Sequence, residues 1–321
     1  MFTRRANQIR ARHAVGPEKF RPGALWRPCD GWRRRACPVA SQTMTLEVSS
    51  VGTTAVITAQ MRAIESARPD RLFSDELAGE LVSAAGLGIE QVTLDQVEGQ
   101  RVYVSLAVRT HYLDDWCARL LAGQSIKQVV ILGAGLDTRA IRLGWVESGV
   151  SVYEIDRSDV TELKAHTLGI DSNARWHGVA ADLTSDRWSE TLVAAGFDAS
   201  KPTLFIAEGL FMYLKDSASR KIIETLRGVA APGSHLLAVH FGLGAQLDAE
   251  TQAMSAAVGN NGYAFESVIE TTPQEWLGDT WQVQSALSIA QYAPTVGRKI
   301  PYDEDAIGAE VTWMFAAAVK P

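Results

Sequence analysis

"VVILGAGLDTRAIRL" (Val129–Leu143) is the stretch whose reading decides the fold. Four apolar residues run into Gly133-Ala134-Gly135, and Asp137 follows two positions later. An apolar run that ends on two glycines reads as a buried strand feeding a tight turn. Glycine tolerates the backbone angles such a turn needs and lets a ligand approach the main chain closely. Nucleotide-binding turns of α/β sheets are built this way. The usual dinucleotide fingerprint is incomplete, however, because its third glycine position holds Thr138.

Working outward, strand-like and helix-like segments alternate. "KQVVILG", "VSVYEID", "ARWHGVAAD", "PTLFIAEG" and "GSHLLAVHFG" read as five strands. Helical patterns separate them at 138–147, "RSDVTELKAHTLG", "DRWSETLVAAG" and "DSASRKIIETLRGVA". That alternation predicts an α/β protein with a doubly wound, mostly parallel sheet. "WQVQSALSI" and "AEVTWMFAAAVK" supply closing strands, separated by a loop holding Gly297, Pro301 and Gly308. One antiparallel closing strand is expected. Upstream, "TAVITAQMRAIES", "DRLFSDELAGELVSAAG" (ending at Gly86) and residues 97–122 carry apolar residues at helical spacing, and Gly123 stands where the third helix would stop. Three regions are thus expected: a basic extension over 1–43, an N-terminal helical cap over 44–126, and a Rossmann-like domain over 127–321 with a lid insertion at about 244–279.

Charge separates the first region from the rest. Residues 1–43 hold nine Arg and one Lys against Glu18 and Asp30, so residues 44–321 carry about −14 of a total of −6. An acidic body argues against nucleic-acid binding by the folded part, since that affinity comes from neutralising phosphates. The basic arm lacks the apolar core of a secretory signal and has no helical or strand period. A transit segment and a nucleic-acid arm both fit its composition, although Ser is scarce. The simplest reading is a disordered extension, with Met44 opening the functional chain. Three cysteines, irregularly spaced, make neither a disulfide framework nor a closed zinc site. No apolar run is long enough to span a membrane. A cytoplasmic setting is expected, and the oligomeric state stays open.

In an open α/β sheet, ligands bind beyond the carboxyl ends of the strands. Glu154 and Asp156 end the second strand, 21 and 23 residues after Gly133. A carboxylate there can accept hydrogen bonds from both hydroxyls of a ribose. Asp182-Leu183 ends the third strand, and a carboxylate with a neighbouring N–H can grip an adenine. Glu208 ends the fourth. Counting Asp137, four successive strand ends carry acids. A pyrophosphate would be repelled there and a cationic ligand would not. This favours S-adenosylmethionine, which carries adenosine, a sulfonium and an ammonium but no phosphate.

At this point "VVILGAGLDTRAIRL", "VYEIDRSDV", "ADLTSDRW" and "FIAEGLFMYL" resemble the motifs of the leucine carboxyl methyltransferase family. The closer resemblance is to its bacterial branch of small-molecule O-methyltransferases, the type found with polyketide pathways. "ARPDRLFSDELA", "VRTHYLDDW" and "TPQEWLGDTW" resemble that branch's flanking motifs. The likeness runs from about residue 50 to the end, in the family's order. It implies a class I methyltransferase fold and S-adenosyl-L-methionine as cofactor. It implies that Arg109 reaches the cofactor's methionine carboxylate, that Gly133 and Gly135 line the cofactor turn, and that Asp156 holds the ribose. It places Asp182 and Leu183 at the adenine, Glu208 by the methionine end, and Tyr213 in the acceptor pocket. Three positions depart from the family pattern: Ser158 for a frequent Pro, His111 for a frequent basic residue, and Thr184 for a frequent Arg after Asp-Leu. In the protein-methylating branch that Arg helps hold the acceptor carboxylate, so the resemblance with this change argues against a protein C-terminus as the substrate.

Plainer roles fit the same residues. Arg109 also fits a surface helix charge, Asp182 and Glu208 solvated loop acids, Glu154 an ion pair with a Lys, and Tyr213 core packing. His240 ends strand five and reads as a satisfied or exposed histidine rather than a base. No catalytic acid, base or metal cluster is assigned. Two other functions remain open: an NAD-dependent oxidoreductase, from the GxG and its distant acid, and a catalytically silent cofactor- or partner-binding module.

Overall fold

The computed structural model describes residues 50–86, 100–170, 173–246, 251–253, 255–256, 264–300 and 311–320. The basic extension over 1–43, Met44, Pro301, Gly308 and much of the expected insertion lie outside the described residues.

Among the described residues three helices come first: α1 (Ser50–Ala67), α2 (Glu76–Ala85) and α3 (Arg101–Ala122). Asp75 caps α2 by accepting from the Ala78 amide, and Gly86 closes it in the left-handed region at φ 62°. α3 ends at Ala122 with Gly123 as its cap, where the sequence placed the stop. Gly123 is itself right-handed, and the following Gln124 takes the left-handed position at φ 59°, the one non-glycine to do so among the described residues.

Strands β1 (Gln128–Leu132), β2 (Ser151–Asp156), β3 (Trp176–Ala180), β4 (Thr203–Ala207) and β5 (His235–Phe241) follow. They alternate with α4 (Arg139–Arg142), α5 (Ser158–Leu168), α6 (Trp188–Ala194) and α7 (Asp216–Val229). Every residue of β1 and β4 is buried. That is why these strands read as unbroken apolar runs rather than alternating ones: helices cover both faces of a parallel sheet. The helix expected over 138–147 is only four residues long, because Gly144 turns left-handed at φ 65° and ends it. The chain continues through α8 (Pro273–Leu277), β6 (Trp281–Ser288), α9 (Ile289–Tyr292) and β7 (Thr312–Val319).

The seven strands form one sheet in the order β3-β2-β1-β4-β5-β7-β6. β1 pairs in parallel with both β2 and β4, so the order reverses between β1 and β4. β7 runs antiparallel to both of its neighbours, β5 and β6. The antiparallel strand therefore sits inside the sheet edge, and β6 points the same way as the parallel set. One face of the sheet packs on Met61 of α1 and Tyr103, Leu106 and Leu113 of α3, and the other on Leu192 of α6 and Ile222 and Leu226 of α7.

Candidate active site

The reversal between β1 and β4 opens a crevice at the carboxyl ends of the strands, where a doubly wound sheet binds ligands. A cavity of about 720 Å3 lies there. Arg109, Gly133, Gly135, Asp156, Asp182, Leu183, Glu208 and Tyr213 all line it, joined by Asp137 and Thr184. The structure thus brings every site residue expected from the sequence to one cavity. Glu154 and His240 are not among the residues that line it.

The floor is the β1 turn. Gly133 and Gly135 sit at φ 61° and 49°, and side chains there would press on Leu210 at 3.0 Å and Ala55 at 3.2 Å. Both conformation and space exclude larger residues, so the floor stays bare backbone. The Gly135 amide donates to Asp156 Oδ2 at 2.6 Å, and the Arg157 amide to Asp156 Oδ1 at 2.8 Å. Each oxygen keeps a further lone pair for a ligand hydroxyl. Burial raises the Asp156 carboxyl, and these two amides oppose the rise. At the β3 end, Thr184 donates both its amide and its hydroxyl to Asp182 Oδ1, at 2.8 and 2.7 Å. The Thr that departs from the family pattern therefore orients the neighbouring acid.

At the β4 end the structure adds what the sequence did not reveal. Glu208 accepts from Arg109 Nε at 2.9 Å and pairs with Arg139 Nη1 at 2.7 Å. Arg139, only 3% exposed, also reaches Asp137 at 2.5 Å and Asp114 at 2.7 Å. Arg142 pairs with Asp114 at 2.7 Å. Burial would raise the Glu208 carboxyl, but Arg139 and Arg109 outweigh it and hold it below the usual range. Asp137 is held low in the same way, mainly by Arg139 and Lys164. This corrects the electrostatic reasoning from sequence. Asp137 and Glu208 are matched by Arg139 and Arg109, whereas Asp156 and Asp182 make no ion pair among the described residues, Lys164 acting on Asp156 only from a distance. Glu154 is likewise no ribose ligand: it is 1% exposed and paired with Lys164 at 2.5 Å, and Lys164 also donates to the Asp137 carbonyl at 2.9 Å.

The remaining walls come from the N-terminal helices and from the segments after β4 and β5. Arg62 of α1 donates to the Leu136 carbonyl at 2.6 Å and to Asp75 at 2.8 Å, which ties α1 and α2 to the turn. Ile57, Met61, Val102, Leu106, Phe241 and Phe265 make an apolar wall. Tyr213 meets Phe265 with ring centroids 5.4 Å apart, and burial pushes its hydroxyl above the ordinary range despite the opposing charge of Arg109. His111, another of the departures, faces Tyr292 across 3.0 Å and is not among the cavity residues. His240 is fully buried, its Nδ1 accepting from the Phe241 amide at 2.8 Å, while its Nε2 finds no partner.

The donor set suits an adenosine-containing cation. It offers a carboxylate with spare lone pairs at the β2 end, an acid beside an apolar residue at the β3 end, and a paired carboxylate and guanidinium at the β4 end.

Comparison with known proteins agrees. The family model for leucine carboxyl methyltransferase matches residues 55–227. A relative from Mycolicibacterium gilvum, named "Putative S-adenosyl-L-methionine-dependent methyltransferase", is 37% identical over 280 residues, covering 80% of this chain and 90% of its own. A crystal structure of a "putative methyltransferase" from Thermobifida fusca superposes with a TM-score of 0.53 at 19% identity, covering 82% of this chain and 94% of that one. A DUF574 family protein from Streptomyces avermitilis superposes with a TM-score of 0.58 at 13% identity, covering 84% and 100%. The two structures show a shared fold, and the family match together with the sequence relative shows kinship: the chain belongs to the leucine carboxyl methyltransferase family.

Proposed function

We propose that this chain transfers a methyl group from S-adenosyl-L-methionine to an oxygen, carboxylate or hydroxyl, of a small-molecule acceptor. The observation that carries the reading is the convergence of Arg109, Asp156, Asp182 and Glu208, from one helix and three strand ends, on a single cavity. When bound, the cofactor supplies an electrophilic methyl on a sulfonium.

The residues divide the work of holding it. Asp156 accepts from the ribose hydroxyls, its carboxylate already oriented by two amides. Asp182 and Leu183 take the adenine, and Arg109, anchored through Nε on Glu208, presents its guanidinium to the methionine carboxylate. Glu208, kept ionised by two arginines, accepts at the ammonium end. The acceptor enters against the apolar wall near Tyr213, whose raised hydroxyl acts as a hydrogen-bond donor and not as a base. Methyl transfer of this kind relies on positioning and on excluding water. A carboxylate acceptor is ionised at neutral pH and needs no base, whereas a hydroxyl acceptor gains from one.

Two measurements test the proposal. Calorimetry on the full chain should show S-adenosylhomocysteine binding at micromolar concentrations. No binding at high micromolar concentration, or tighter binding of NADH, would overturn it. Methyl-labelled S-adenosylmethionine incubated with a cell extract should then pass label to the small-molecule fraction. Label recovered only in precipitated protein would overturn the small-molecule acceptor.

A further inference from the structure

Arg139 does not itself line the cavity, yet it contacts two residues that do. Asp137 stands just past the end of β1 and Glu208 just past the end of β4, the neighbouring strands at the reversal. Nη1 of Arg139 reaches both carboxylates, at 2.5 and 2.7 Å. Its Nε donates to Asp114 of α3 at 2.7 Å. One buried guanidinium therefore joins three segments: the turn after β1, the end of β4, and the helix that carries Arg109. Its Nη2 is buried and has no hydrogen-bond partner among the described residues.

The charges around it balance only with Arg139 in place. Asp114, Asp137 and Glu208 face Arg109, Arg139 and Arg142. Lys164 and Arg62 also act on Asp137, but each has an acid of its own, Glu154 and Asp75, and buried Cys117 lies close by. Without Arg139, two cavity carboxylates would face each other across the reversal with one cation fewer. Like charges in a poorly solvated site either move apart or take up a proton. Either outcome alters the end of the cavity that meets the cofactor's ammonium.

We propose that Arg139 is a positioning residue for cofactor binding, acting through Glu208 and Asp137 to clamp the ends of β1 and β4 and to keep both acids charged. The proposal rests on the reading that this cavity holds S-adenosylmethionine. A lysine could restore the charge but not the fork that reaches three carboxylates at once.

The test measures S-adenosylhomocysteine affinity by calorimetry for the full chain and for Arg139→Lys and Arg139→Met, from pH 5 to 8, with thermal melts as a control on folding. The wild-type chain should bind with little change across this range. Arg139→Met should bind about 100-fold more weakly, the effect of removing one partner from a buried charge network. Arg139→Lys should fold and recover part of that loss. Its residual binding should fall as the pH drops toward 5, because the released carboxyls take up protons at higher pH. A purely structural role would lower the melting temperature and leave folded protein with wild-type affinity and a flat pH profile. That result, in Arg139→Lys or in folded Arg139→Met, would overturn the proposal. Absence of binding by the wild-type chain would count against the cofactor assignment instead.

Discussion

Asp156, proposed to hold the ribose, has its carboxylate fixed by the backbone alone. Two backbone amides fix its carboxylate, and the Gly135 amide comes from the same turn that forms the cavity floor. Asp156→Ala should weaken S-adenosylhomocysteine binding about 10- to 100-fold, the worth of one or two hydrogen bonds to a charged group, with little change in melting temperature. Calorimetry beside a thermal melt checks this, and unchanged affinity would remove Asp156 from the site. Tyr213→Phe makes the converse prediction. It removes one hydroxyl from the proposed acceptor wall, so turnover should fall about 10-fold while S-adenosylhomocysteine affinity holds. Glycines and strand-end acids were legible in the sequence because each sits where a local pattern changes. Arg139 was not. Besides the adjacent Asp137, its partners lie 25 residues before it (Asp114) and 69 after it (Glu208), and no periodicity links such positions.

Among the elements, α1 and α2 gain their meaning from what they hold. Asp75 caps α2 and accepts from Arg62, which in turn holds the Leu136 carbonyl in the turn after β1. Asp75→Ala removes a cap and leaves Arg62, with a side chain only 12% exposed, short of its counter-charge. It should cost about 3–5 kcal/mol of stability, read as a lower urea midpoint at constant slope. A loss below about 1 kcal/mol would mean that the pair contributes little. The helix–strand alternation was legible from hydrophobic period, since buried parallel strands and amphipathic helices differ over a dozen residues. Element ends were less so. α3 ends at Ala122, where Gly123 marked the stop, but α4 ends well short of the expected 147 because the packed chain turns left-handed at Gly144.

At the scale of the whole molecule, buried ionisable groups set the response to pH. Burial holds the His240 imidazole at about 4, against a slight opposing pull from Asp216. An unfolded chain protonates this residue near pH 6.5, while the folded chain does not until about pH 4. The stability this contributes is complete above pH 6.5 and is lost as the pH falls through the window down to 4. Between pH 7.5 and 5 the loss should be about 2 kcal/mol. Urea unfolding at both values checks it, and His240→Gln, which keeps an acceptor for the Phe241 amide, should flatten the slope. Below about pH 4 the depressed carboxyls of Asp114 and Glu208 add their own loss as they protonate. The place of β7 between β5 and β6 was the least legible feature, because strand order is decided by packing and not by local spacing. It also bears on how the protein is made. As the chain emerges in sequence order, β5 is complete more than 70 residues before Thr312 appears, and β6 has no neighbour in the sheet but β7. Throughout that interval the newborn chain carries an open strand edge of seven residues, His235–Phe241, that another nascent chain could pair with. Synthesis stalled or truncated before Thr312 should therefore yield aggregate rather than a smaller functional protein.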